Sequence, residues 1–282
     1  MARVRLWGLG VFALTALVLA PAATGEAQPA SRLDAIVKAK KLRVGMAPNS
    51  VFVFKDPKTN QLEGFEVDAV RLLAKDLGVE LELVEATWAT LFAGLQADKY
   101  DMVASGSRRT LQRSLAVAFT NPYVSLTELA MVRRRDNIKT WADVDKKGAT
   151  LCSVLGGATH LSLIRIKKEE PDVIKNASIA PLKEIALCGD AVASGQATAW
   201  LEEIVSITLY IKQHPEAGLQ TLELPFASHG EGNGYAIAKG DQDFLNFLNI
   251  FITKMHNSGT YAKLAEKHGL PPAVLVKGWG QR

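Results

Sequence analysis

A chain of 282 residues, 48% of them hydrophobic, is long enough to bury more than one ordinary core. Its formal net charge of +4 is small, its Lys and Arg form no stripe, and its aromatic residues do not interleave with them, so a nucleic-acid-binding role is excluded. The five His show no metal-ligand spacing, and no motif marks a cofactor.

Arg3 and Arg5 precede an apolar run from Leu6 to Ala20, followed by Pro21 and the small residues Ala22, Ala23, Gly25 and Ala27. This is the layout of a cleavable secretory signal over 1–27, and the run is shorter than the ~20 residues a membrane span needs. No Cys lies near the small residues, so a lipid anchor is not expected. The expected product is soluble, periplasmic and not a lipoprotein. Loss of Arg3, Arg5 and Glu26 takes the net charge from +4 to +3.

Beyond the signal, strand and helix patterns alternate. A basic helix over Leu33–Lys41 leads into an apolar strand, Leu42–Gly45. Val67, Val70, Ala74 and Leu77 recur at helical spacing in Glu66–Leu77, and Gly78 ends that helix. A strand at Leu81–Val84, a helix at Trp88–Ala97 and a strand at Met102–Ala104 follow. Leu129–Arg133 opens a second region, with Arg133-Arg134-Arg135 read as a solvated strand end. There Ala149–Val154 reads as strand, Thr159–Lys168 as helix, Ile179–Ala180 as strand, Asp190–Ser194 as helix and Ala199–Leu201 as strand. Tyr235–Ala238 is the last strand, and helices at Asp241–Met255 and Thr260–His268 close the chain. Strands separated by helices predict an α/β fold with mainly parallel sheets covered on both faces, and the length favours two lobes.

Cys152 lies in the strand-like run, and Cys188 just precedes the helix at Asp190. An even pair in an exported chain predicts a disulfide, against the alternative of two separately buried thiols.

The stretch Ala104-Ser105-Gly106-Ser107-Arg108-Arg109-Thr110-Leu111-Gln112-Arg113 brings hydroxyls, free backbone N–H groups and guanidinium together at a strand end. Such a place suits a carboxylate, because Arg offers a planar two-pronged donor.

Several motifs in order extend this reading: Leu42-Arg43-Val44-Gly45, Gly64-Phe65-Glu66-Val67-Asp68, Trp88, Thr110 with Arg113, Phe119-Thr120-Asn121-Pro122-Tyr123, Gly156-Gly157-Ala158-Thr159 and Gly259-Thr260-Tyr261. Together they resemble the polar amino-acid-binding proteins of ABC importers, family 3 of the extracytoplasmic solute-binding proteins. The resemblance implies a two-lobed periplasmic-binding-protein fold (type II, the Venus flytrap), with mixed, mainly parallel sheets. It places lobe 1 at 28–128 and 233–282 and lobe 2 at 129–232, with crossings near Val124–Leu129 and Gly232–Ala236. It implies a small-molecule ligand held in the cleft, an amino acid or related carboxylate, and a partner in the transmembrane subunits of a permease.

By the same resemblance, Arg113 grips the α-carboxylate, and Thr159, at a helix start behind Gly157 and Ala158, donates to it from lobe 2. A helix N-terminus suits an anion in any case, and a plain helix cap is the alternative for Thr159. Trp88 matches a residue that packs on the ligand, although Trp is as readily core. Ser105 and Gly106 match the loop facing the α-ammonium, Thr110 belongs to the same motif, and Glu203, with Glu202 beside it, matches the acid that pairs with that ammonium. An exposed helical acid pair is the alternative.

Three departures stand out. Arg108 occupies a place where the family generally has Thr or Ser, Glu203 is longer than the usual Asp, and Thr198 stands where an Asp commonly follows the Gly of the second-lobe helix. The aromatic lid is replaced by Asn49, Ser50 and Val51, with Phe52 the nearest candidate. Two guanidiniums in one cleft argue for an acidic ligand, unless Arg108 pairs with Glu203 or Glu202. The rival reading is an enzyme: Ser31-Arg32-Leu33-Asp34 and Gly156-Gly157 also resemble cyclohexadienyl or arogenate dehydratases of the same family. Those carry Glu just past the Gly-Gly turn, where this chain has His160, so no catalytic residue is expected, and His160 or Glu203 would be the acid if the chain were such an enzyme.

Overall fold

The computed structural model describes residues 31–226 and 232–276, and the expected signal segment lies outside them. The first elements are α1 (Arg32–Ala39), β1 (Lys41–Met46), β2 (Phe54–Lys55), β3 (Leu62–Glu63), α2 (Phe65–Leu77), β4 (Glu80–Glu85), α3 (Leu91–Gln96), β5 (Met102–Val103), α4 (Leu111–Ser114) and β6 (Ala118–Phe119). Next come β7 (Glu128–Arg133), α5 (Trp141–Val144), β8 (Thr150–Val154), α6 (Ala158–Glu169), β9 (Ser178–Leu182), α7 (Ile185–Ser194), β10 (Ala199–Glu203), α8 (Ile204–Gln213) and β11 (Leu219–Leu222). β12 (Ala236–Ile237), α9 (Gln242–Asn257) and α10 (Thr260–Lys267) complete the order.

Two five-stranded sheets result, β4-β1-β5-β12-β6 and β11-β7-β10-β8-β9, each the centre of one lobe. β1 lies parallel between β4 and β5, and β8 parallel between β10 and β9. The pairs made by β7 and β12, the strands entered after each crossing, are antiparallel. The sheets are therefore mixed, with a larger antiparallel share than strand and helix alternation suggests, because a chain that returns from the other lobe enters from the opposite end.

Helices cover both faces of each sheet. In lobe 1, Val70 and Leu73 of α2 and Phe244, Leu248 and Phe251 of α9 pack on one face, and Leu91 and Leu95 of α3 with Tyr100 on the other. In lobe 2, Leu163 and Ile166 of α6 cover one face, and α7 and α8 cover the other around Trp200 and Tyr210. Local signals explain the ends: Asp241 accepts the Phe244 N–H to start α9, and Gly78 ends α2 in the left-handed region at φ 65°.

The chain crosses between the sheets after β6 and again before β12. At that point the Asn233 N–H donates to the Val124 carbonyl at 2.6 Å and the Tyr123 N–H to the Asn233 carbonyl at 3.0 Å, so the two crossings form one paired strap.

Some local expectations change. Lys41 begins β1, because Lys40 turns left-handed at φ 55° and ends α1. Trp88 lies in a turn before α3, not in that helix. α7 starts at Ile185, so Cys188 sits inside it. The sequence reading passed over α8, whose Ile204-Val205-Ser206-Ile207 start is rich in β-branched residues, along with β6, β11, α4, α5 and the β2–β3 hairpin.

Cys152 of β8 and Cys188 of α7 form a disulfide, with Cα atoms 5.6 Å apart, that clips α7 to the lobe 2 sheet. It closes a loop of 36 residues. Its removal in C152S/C188S is expected to cost ~3 to 4 kcal/mol on the chain-entropy model. Urea unfolding measures this, with intact mass after alkylation confirming the bond; unchanged stability, or two thiols alkylated without reductant, refutes it.

Candidate functional site

The end of β5 turns sharply because three buried groups hold it. The Ser105 hydroxyl accepts the Ala47 N–H at 2.8 Å, Asn49 donates to the Ser105 carbonyl at 2.8 Å, and Glu66 accepts the Gly106 N–H at 2.8 Å. Gly106 takes φ +61°, and a Cβ there would lie 2.9 Å from both Asn49 and the Phe52 ring. This leaves Gly106 on the cleft wall. The Tyr123 hydroxyl also donates to Glu66, and burial raises the Glu66 carboxyl to about 7.

Thr110 begins α4 by accepting the Arg113 N–H on its hydroxyl at 3.1 Å, which aims Arg113 into the cleft. The Arg113 guanidinium donates to the carbonyls of Arg108 at 3.0 Å and Gly156 at 3.3 Å. It lies 4.6 Å from the Phe92 ring centroid and 5.6 Å from that of Trp88. Its buried Nε has no hydrogen-bond partner, and among the described residues no carboxylate pairs with it. Burial, and next the charge of Arg108, push its pKa down to about 9.

Lobe 2 supplies the opposite wall. The first turn of α6 presents Gly157, Ala158 and Thr159 to the cavity that Arg113 lines, and its leading N–H groups have no intrahelical partner. Gly156, at φ +78°, lies against lobe 1 so closely that a Cβ would meet the Ala89 backbone at 2.7 Å.

At the floor, Arg108 reaches from the first sheet to two acids of the second, Glu203 at the end of β10 and Glu128, which begins β7 one residue earlier than the expected lobe 2 bound. Nη1 pairs with Glu128, and Nη2 lies 3.5 Å from Glu203. All three are buried. The Thr159 hydroxyl donates to Glu128 at 2.5 Å, and Asn233 reaches Glu203 at 3.5 Å. Glu202 lines the cavity beside them; its carboxyl is raised to about 8 by burial and then by Glu203.

The structure thus gathers Trp88, Gly106, Arg108, Arg113, Gly157, Ala158, Thr159, Glu202 and Glu203 around one cavity of about 30 Å³. Three expected site residues stand apart. Ser105 is fully buried, with its hydroxyl accepting the Ala47 N–H and its carbonyl, the group expected to face the ammonium, accepting from Asn49, and Thr110 caps α4. Phe52 is buried at the back of Gly106, edge-on to Phe65, so it forms no lid. The acids are not an exposed helical pair: they end β10, and Glu203 begins α8. Thr159 is not the cap of α6, a place held by Gly157.

Sequence reasoning missed Glu128, Asn49, Val154 and Ile185. Asn49 stood in the altered turn already noted. Glu128 carried no local signal, since only the pairing of β7 with β10 sets it opposite Glu203.

The model of the bacterial extracellular solute-binding proteins, family 3, matches residues 42–271. The chain belongs to this family. A probable histidine-binding protein of Neisseria gonorrhoeae is 27% identical over 263 residues, 93% of this chain and 94% of that protein. Among solved structures, an ancestral amino acid-binding protein that is a precursor of cyclohexadienyl dehydratase is 32% identical. It has a TM-score of 0.74 and covers 84% of this chain and 99% of its own. An ancestral arginine-binding protein bound to arginine is 27% identical at a TM-score of 0.71, covering 81% and 97%. The resemblance drawn from the motifs and the two-lobed fold both stand. As in the family description, this is an extracellular solute-binding protein.

The raised carboxyls set a pH dependence. Glu66 and Glu202 hold protons in the folded state up to about 7 and about 8, where the unfolded chain releases them near 4.5. Their contribution is full below 4.5 and lost as pH rises through those values. The melting temperature is expected to fall between pH 5 and 8, and E66Q and E202Q each to flatten part of that slope. Melting curves across that range check it; an unchanged slope in both variants refutes it.

Proposed function

We propose that this protein captures a small amino acid between its lobes in the periplasm and presents it to the transmembrane subunits of an ABC permease. The observation that carries the reading is Arg113: a buried guanidinium with an unpartnered Nε and, among the described residues, no carboxylate partner, facing the first turn of α6 across a cavity. Burying such a charge is unfavourable unless an anion meets it. A ligand carboxylate does so in two-pronged fashion, with the Ala158 and Thr159 N–H groups completing its shell. Glu202 and Glu203 stand where the ammonium would lie, and Glu202 gives up its proton to meet it. Trp88 flanks the ligand. A cavity of about 30 Å³ holds a water or two, so admission requires the lobes to part about the Val124–Asn233 strap.

An acidic ligand loses its support, because that expectation required a second free guanidinium and Arg108 is paired with Glu128 and Glu203. The protein named for histidine and the ancestral protein bound to arginine support amino-acid capture as a class.

The dehydratase reading is weaker. His160 accepts the Gly156 N–H on Nδ1, does not line the cavity, and is kept neutral by burial, so it offers no proton to a leaving group. Binding without turnover of prephenate or arogenate is expected, and turnover overturns the reading.

R113A is expected to fold and to lose amino-acid affinity by at least about a hundredfold, since hydrogen bonds to charged groups contribute ~1.5 to 3 kcal/mol each. Calorimetry against an amino-acid panel measures it; wild-type affinity in R113A removes the assignment.

A further inference from the structure

The two lobes touch at the rim of the cleft as well as at its floor. Arg113, on α4 of lobe 1, donates through Nη2 to the Gly156 carbonyl of lobe 2 at 3.3 Å. Beside that bond the two backbones meet: a Cβ on Gly156 would lie 2.7 Å from the Ala89 Cα, 2.8 Å from its N and 3.0 Å from the Trp88 carbonyl carbon. The opposing atoms are main chain, so no side chain can turn away to relieve the contact.

This rim divides the cleft. Inside it lies the cavity of about 30 Å³, lined by Gly157, Ala158 and Thr159 but not by Gly156. Outside it, Gly156 and Ala89 line a groove of about 260 Å³ with Phe92, Gln112 and Leu161. Trp88 and Arg113 belong to both spaces and form the wall between them. The inner space takes a water or two, so an amino acid and this arrangement of the lobes exclude each other. Arg108 on the cavity floor bridges Asn233 at the strap, whereas the rim lies beyond the cavity. A tilt about the strap that widens the cavity therefore also parts Gly156 from Ala89.

We infer that the contact of Gly156 with Ala89 is a self-closing latch, in which the Gly156 carbonyl occupies Arg113 in place of a ligand carboxylate, and that amino-acid capture competes with this latch. The inference rests on the amino-acid reading of the cleft and adds how access to it is regulated. With ligand seated, the rim is more open than in the latched arrangement. The apparent affinity is the intrinsic affinity reduced by the fraction of molecules that is unlatched. Glycine is required at the latch, because Gly156 sits at φ +78° and a side chain there would strike the Ala89 backbone.

The test places spin labels on L115C and I164C, exposed positions of α4 and α6 that flank the groove, and measures their separation by pulsed electron resonance. The native cysteines are buried and bonded to each other, so only the two new thiols are labelled. Without added amino acid, one short distance is expected to dominate. Saturating alanine, glutamine, histidine or arginine, whichever binds, should lengthen it. A short distance that is absent before addition, or that appears only on addition, overturns the inference.

G156A should show the longer separation with no amino acid added. G148A is its control: Gly148 has φ +85° in lobe 2 but open space at its Cβ, so it carries the same backbone strain without the clash, and its distances should match wild type. By calorimetry G156A should bind amino acid at least about threefold tighter than G148A, the gain from releasing a latch that holds about two thirds of the molecules. Wild-type distances in G156A, or affinity below that of G148A, overturn the inference. If none of the four amino acids binds, the capture reading falls, and the distances in unmixed wild type, G156A and G148A still decide whether the lobes latch on each other.

Discussion

The chain crosses between its sheets twice, and both crossings are hydrogen-bonded to each other at one place, Val124 against Asn233. Most of the cleft is organised from that strap. Arg108 bridges Asn233 on one side, Glu128 begins the strand four residues beyond Val124, and the Asn233 side chain reaches Glu203. A pivot built of backbone pairs lets two rigid sheets tilt while the groups nearest it keep their neighbours, so the ion cluster at the floor is held in register.

From that constraint follows an uneven distribution of charge. Near the pivot, carboxylates and the Arg108 guanidinium neutralise each other. Farther out, Arg113 is left with carbonyl and aromatic partners, and its lowered pKa records the cost of that burial. The same structure that leaves Arg113 unpaired makes it the strongest attractor for an anion in the cleft. Stability is given up where binding is needed, which is the usual arrangement at a site preorganised for a charged ligand.

Glu66 joins these two regions to the lobe 1 core. It is fully buried on α2, yet its carboxyl holds both the Gly106 N–H on the cleft wall and the Tyr123 hydroxyl beside the strap. Tyr123 in turn stacks on Tyr235 with ring centroids 4.8 Å apart. The cleft wall and both crossings therefore rest on one aromatic layer.

Much of this was legible along the chain, because it depends on short-range pattern. The helical spacing within Glu66–Leu77, the Gly78 stop and the Gly156-Gly157 turn are local, and the structure has them where the sequence puts them. An even pair of cysteines in an exported chain likewise announced its bond. What tertiary structure alone decided was which polar groups face each other. Ser105 and Phe52 sit in the right motif, yet packing turned the first toward Ala47 and set the second behind Gly106. Glu128 belongs to no motif, and only the register between β7 and β10 sets it against Glu203 and within reach of Arg108. Local propensity acts over one turn or one strand, whereas the pairing of buried charges is set by contacts between residues 20 to 95 positions apart, which no local pattern encodes.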